Sequence, residues 1–114
     1  MPELQDREQR QYHRIRYPLA ERPTLVCETK TYAVIDISAR GLLYLILPDE
    51  PHPKAHDIIR GIVRFRRGTQ VNIEGTVVRV AHKEVALYFP NREIPFSILL
   101  NEQRYLHARY PMWS

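Results

Sequence analysis

Cysteine is almost absent from this chain. The one residue present, Cys27, excludes an intrachain disulfide and any multi-cysteine zinc site. No apolar run approaches the roughly 20 residues that a membrane-spanning helix needs. The opening MPELQDREQRQ holds no apolar segment of the kind a secretory signal requires, so an intracellular, cytoplasmic setting is expected. The chain also lacks a phosphate-binding G-x-x-x-x-G-K-[ST] loop, a G-x-S-x-G elbow and an H-E-x-x-H pair. Nothing supports an enzyme, and no cofactor is called for. Internal repeats and low-complexity tracts are missing too.

What is present describes one domain. A chain of 114 residues, 44% hydrophobic and 26% charged, can bury a modest core and is neither disordered nor membranous in composition. A net charge of +4 favours anionic partners, among them nucleotides, nucleic acid and acidic protein surfaces.

Strand-like stretches dominate. Residues Met1–Gln11 are polar and mixed in charge, which predicts an arm over 1–14 with little structure of its own. Tyr12–Leu19 alternates, but Pro18 and Pro23 limit its pairing because each lacks a backbone donor. Further strands are expected over Thr24–Glu28, Thr31–Ile37 and Leu42–Leu47, then a proline-rich loop at Pro48–Asp57. From Ile58 the alternation puts Ile59, Gly61, Val63 and Phe65 on one face and Arg60, Ile62, Arg64 and Arg66 on the other. After a turn at Arg67-Gly68-Thr69 come Gln70–Glu74 and Gly75–Ala81, with a hairpin through His82-Lys83-Glu84 into Val85–Phe89. Six or seven short strands over 15–90 predict a mainly β fold, a closed or nearly closed antiparallel barrel. Past Pro95 the period changes. Phe96, Leu99, Leu100, Leu106 and Tyr110 form an apolar helical stripe, so an amphipathic C-terminal helix over 95–110 is expected to pack on the barrel.

Two constellations carry chemistry. Asp36, Ser38 and Gly41 stand as D-x-S-x-x-G, read as a short polar break between strands. Asp36 accepts from N–H groups, Ser38 donates and accepts, and Gly41 permits a positive φ or a close backbone approach. Upstream, Arg10 and Arg14 stand as R-x-x-x-R, and a guanidinium forks onto phosphate or stacks on a base. Together they suit an anionic, guanine-like ligand. Taken singly, the arginines read as solvated charges, Asp36 and Ser38 as residues closing their own turn, and Gly41 as structural.

The order RQYHR, two strands, DISARG, a long β region and a C-terminal helix resembles the PilZ domain family over about Arg7–Pro111. That resemblance implies a single non-catalytic domain over 1–114 that binds the bacterial second messenger cyclic di-GMP. It implies that Arg10 and Arg14 contact phosphate and guanine, that Asp36 and Ser38 hold the polar edge of the ligand, and that Gly41 permits its approach. The ligand would be clamped between arm and barrel, and the altered surface read by a downstream protein partner. Arg40, inside the second motif, is the best further phosphate contact, ahead of Arg7 and Arg16. Many relatives carry arginine directly before R-x-x-x-R where this chain has Gln9, a position associated with monomeric or dimeric ligand.

Other readings stand beside this one. His52 and His56 have a helical metal spacing, but Pro51 and Pro53 argue against the helix, so no metal site is expected. Cys27 reads as a small core residue. Arg60, Arg64, Arg66 and Arg67, with Arg79 nearby, form a basic face. With Tyr12, Tyr17, Tyr32, Tyr44 and Tyr88 it could serve a single-stranded nucleic acid. A protein-interaction adaptor that binds no ligand is the remaining alternative.

Overall fold

The structure is a computed structural model that describes residues 14–113. Arg10, Tyr12 and nearly all of the expected arm lie outside the described residues.

The strands are β1 (Ile15–Arg16), β2 (Thr24–Cys27), β3 (Lys30–Ser38), β4 (Gly41–Leu45), β5 (Ile58–Arg64), β6 (Gln70–Ala81) and β7 (Glu84–Tyr88). They pair antiparallel in the order β1-β3-β2-β5-β6-β7-β4, and β3 also pairs with β4. The ring β2-β5-β6-β7-β4-β3 is therefore closed, which leaves no long open edge. The first half of β3 pairs with β2 and the second half with β1, through Ile15↔Ile37 and Arg16↔Asp36. The prolines act as expected. Pro18 and Pro23 bracket a short 3-10 turn at Leu19–Glu21, and among the described residues of the first stretch only Ile15–Arg16 joins the sheet.

Alternation fills the barrel with Leu25, Val34, Leu42, Val63, Val77, Val85 and Phe89 among others. Two expected strands merge into the single β6 because Gly75 is no break. A Cβ there would come 3.0 Å from the Leu87 side chain and 3.3 Å from Phe89, so the interior requires the small residue. A bulge at Val78 (Val77↔Leu87, then Arg79↔Ala86) keeps this long strand curved with the barrel wall.

The helix, α1, spans Phe96–Arg109 with Pro95 at its N-cap, and it packs against β1. Its buried face differs from the expected stripe. Leu99, Glu102 and Leu106 are buried, with Ile98, Tyr105 and Tyr110 half-buried against the core. Phe96 is 66% exposed, and Leu100 stays outside the core cluster. At 3.6 residues per turn, Phe96 and Leu100 stand about 120° and 160° around the helix from Glu102. The centre of the buried face is a glutamate, which an apolar pattern does not count.

Glu102 is tolerated there because its charge is met. It accepts from the Tyr17 hydroxyl at 2.8 Å and from Arg67 at 2.9 Å (Nη2) and 3.3 Å (Nε). Arg67 Nη1 also donates to Glu21 at 3.0 Å, and its guanidinium lies 3.7 Å over the Tyr105 ring. Tyr110 donates to Glu21 at 2.9 Å. This network joins the 3-10 turn, the β5–β6 turn and α1 into one body. Among the described residues no helix is long and apolar enough to cross a membrane.

Candidate ligand-binding face

The site begins with an irregularity in β3. Opposite β4, Val34 pairs with Tyr44 and Asp36 with Leu43, so Ile35 is an extra residue. Tyr32 and Val34 belong to the core before this bulge, and Ile37 and Ala39 after it. Strict alternation would have put Asp36 and Ser38 on the core face with Val34. The bulge reverses the sides, so both polar residues face outward. It is the local device that makes the motif usable.

Neither residue lies in a polar break. Asp36 and Ser38 belong to β3 itself, and the turn into β4 is only Ala39-Arg40, closed by the Ser38↔Gly41 pair. Both side chains are buried nonetheless. Asp36 sits opposite Arg16 in the β1–β3 register, and Arg14, on the same face two residues earlier, reaches it diagonally. Arg14 Nη1 donates to Asp36 Oδ1 at 2.8 Å. The two halves of the sequence pattern thus touch, across 22 positions of the chain. The Arg14 side chain is 50% exposed, against 7% for Asp36.

The other motif residues are partly engaged in the wall. Ser38 Oγ donates to the Gly41 carbonyl at 3.4 Å. Gly41 does not use a positive φ. It uses the close approach, since a Cβ there would collide with the Leu87 carbonyl oxygen of β7. Arg40 projects from the turn, where its Nε pairs with Glu93 at 3.0 Å and its Nη1 faces the Phe89 carbonyl at 3.5 Å. The Phe89 N–H donates back to Arg40 O, and the Ile94 N–H to Ala39 O, so the segment leading to α1 is tied to the motif turn. Arg16, ranked behind Arg40 from sequence, is the arginine placed directly opposite Asp36. The strand register, which no motif encodes, is the signal that finds it.

Beyond this face the remaining candidates separate. Arg67 belongs to the buried network, so it does not contribute to the basic face, and Arg60 is held by Glu74 at 2.6 Å. A groove of about 540 Å³ lies over Arg60, Asn72, Glu74, Asn91 and Arg92. Tyr17, Tyr32 and Tyr44 are buried, Tyr32 and Tyr44 with ring centroids 4.9 Å apart, and Tyr12 lies outside the described residues. Of the tyrosines expected to stack on a nucleic acid, Tyr88 alone is exposed among the described residues. His56 has φ +77°, which no α-helix accommodates, so its spacing from His52 does not place both on one helical face. Burial, and then the carboxylates of Glu28 and Glu50, push the Cys27 thiol up, away from thiolate chemistry.

A family model for the PilZ domain matches residues 8–102. No curated protein matches the chain.

Proposed function

We propose, since the chain belongs to the PilZ domain family, that it is a non-catalytic receptor for cyclic di-GMP. The observation that carries this reading is the contact of Arg14 with the buried Asp36 on the outward face of β3. An arginine half in solvent keeps donors for a phosphate. Its pair with Asp36 is worth about 0–1 kcal/mol, so a ligand can recruit it at little cost.

The same geometry supports selectivity. An anion that drew Arg14 away would leave the Asp36 carboxylate without that donor, a penalty of up to about 1 kcal/mol for a pair half in solvent. A guanine base removes that penalty, because its N–H donors replace the guanidinium on Asp36. The face therefore favours phosphate and guanine in one molecule over phosphate alone. In this reading Arg10 and Arg14 take the phosphates and stack on the bases, Asp36 and Ser38 hold the guanine edge, and Arg40 exchanges Glu93 for phosphate. Gly41 keeps the wall close enough for the edge to form. Ordering of the arm ahead of β1 on the ligand presents a new surface to a protein partner in the cytoplasm. The burial of Tyr17, Tyr32 and Tyr44 counts against single-stranded nucleic acid as the ligand.

Isothermal titration with cyclic di-GMP tests the reading, with GTP and the Arg14→Ala variant as controls. Saturable heat for the wild type, absent for GTP and lost in the variant, is expected, and its stoichiometry reports whether Gln9 goes with one ligand or two. Absence of heat at high concentration removes the receptor reading and leaves an adaptor. Hydrogen exchange over residues 1–16 should slow on saturation, and unchanged exchange would remove the ordering mechanism.

A further inference from the structure

We propose that Trp113 is a ligand-binding residue, its indole ring stacking on a guanine of the cyclic dinucleotide held by Arg14. This rests on the receptor reading above. It adds a wall to the site that neither sequence motif contains.

After α1 the chain turns back over β1. Pro111 ends the helical run, and the Trp113 N–H donates to the Tyr110 carbonyl at 2.9 Å, closing the turn. The indole Nε1–H then donates to the backbone carbonyl of Arg16 at 2.6 Å. That bond pins the tail to the residue directly opposite Asp36. It also satisfies the one polar group of the indole, leaving the ring of a residue 42% exposed for other contacts.

Between β1, α1 and this tail runs a groove of about 610 Å³, within the range of small-ligand sites. Arg14, Arg16, Leu106, His107, Met112 and Trp113 line it. Arg14 is thus shared. One of its nitrogens sits on Asp36, while the side chain forms part of the groove wall. A phosphate on Arg14 stands at the mouth of a cleft that offers an indole, an imidazole and apolar surface. Those are the groups on which a purine stacks. A cyclic dinucleotide has a second base to place, and this cleft adjoins the face that takes the first.

The chain contains a single tryptophan, so its emission reports on this position alone. Titration of the whole chain with cyclic di-GMP should quench that emission saturably, with the midpoint found by calorimetry. Trp113→Ala should weaken binding by about five- to 150-fold, the usual range for one lost base–aromatic stack. Trp113→Phe, which keeps a ring but loses the bond to Arg16, should fall between. Circular dichroism melts of both variants should match the wild type, since the side chain lies at the surface. Unmoved emission with ligand shown bound by calorimetry would overturn the inference and leave the receptor reading standing. So would a Trp113→Ala variant that binds equally well or more tightly, even if the wild-type emission changes. Absence of calorimetric binding to the wild type is the distinct result that removes the receptor reading, and this inference with it.

Discussion

Arg67 and Arg14 both reach buried carboxylates, but Arg67 commits its whole guanidinium to the fold and Arg14 commits one nitrogen. Arg67 donates to Glu21 and Glu102 and lies over the Tyr105 ring, with its side chain 30% exposed. Arg14 reaches Asp36 through one nitrogen and stays half in solvent. The same pair of residue types thus serves two ends. Where an arginine is saturated by two carboxylates and a ring, it ties the 3-10 turn, the β5–β6 turn and α1 together. Where it is left open, it is available to something else.

The largest effect expected from this difference is on stability. Arg67→Ala takes the cation from buried Glu102 and leaves Glu21 only the more distant Arg109 at 3.6 Å, which costs about 3–5 kcal/mol. Domains of this size have about 5–15 kcal/mol in all. A urea unfolding midpoint should fall accordingly, while the folded fraction keeps its affinity for cyclic di-GMP. A midpoint equal to the wild type would mean that Arg67 does not help to hold α1.

Gly41 sharpens the comparison from within the motif. It belongs to the ligand-binding pattern, yet the atoms that crowd it are those of Leu87 in β7. Gly41→Ala must displace one backbone against another, an overpacking cost of about 2 kcal/mol. It should therefore behave like Arg67→Ala in urea. Undiminished stability with lost ligand binding would instead return Gly41 to the ligand side.

Arg14→Ala is the opposite case. Its unfolding midpoint should correspond to a loss within about 1 kcal/mol, as for a solvent-exposed pair. Its affinity for cyclic di-GMP should fall more than tenfold, because a hydrogen bond to a charged group contributes about 1.5–3 kcal/mol. Strong destabilisation would erase the distinction between the two arginines.

This division was only half legible beforehand. Strand alternation in Ile59–Phe65 and the proline punctuation identify an antiparallel barrel, and the two motifs identify Arg14, Asp36 and Ser38, which now share a face. The bulge at Ile35 was not legible. It is an extra residue in an otherwise apolar run, and it shows only once β4 is paired beside it. Glu102 was illegible for a related reason. A glutamate among helical apolar residues reads as solvated until Tyr17 and Arg67, far away in sequence, are brought to it. Arg67 was assigned to a basic face for the same reason. Neighbours in sequence are one-dimensional, whereas the compensation of a buried charge is not. Trp113 completes the pattern, since its partner is a backbone carbonyl 97 positions away.

The smallest effect concerns one proton on the Arg67 side. Burial works against ionisation of Glu21, but hydrogen bonds from Tyr110 and Arg67 overcome it and hold the carboxyl below its ordinary value of 4.5. A depressed folded value means that the unfolded chain takes up the proton first. The contribution of Glu21 is then complete above about pH 4.5 and is lost as the pH falls through the folded value. Glu50, whose burial is outweighed by bonds from Tyr32, Lys30 and the Leu47 N–H, adds to the same acid limb. Tyr17 behaves in the reverse sense. Burial, and then the Glu102 carboxylate, raise its hydroxyl above 10, so its contribution is complete below that value and drains as the solution becomes alkaline. Burial likewise lifts Tyr44 to about 12, which extends the alkaline limb. Unfolding free energies measured in urea across the pH range should therefore form a plateau with two shoulders. Glu21→Gln should flatten part of the acid shoulder and leave the part due to Glu50. If the acid shoulder of Glu21→Gln matches that of the wild type, the Arg67 network does not hold Glu21 as a carboxylate, and the contrast with Arg14 loses its electrostatic basis.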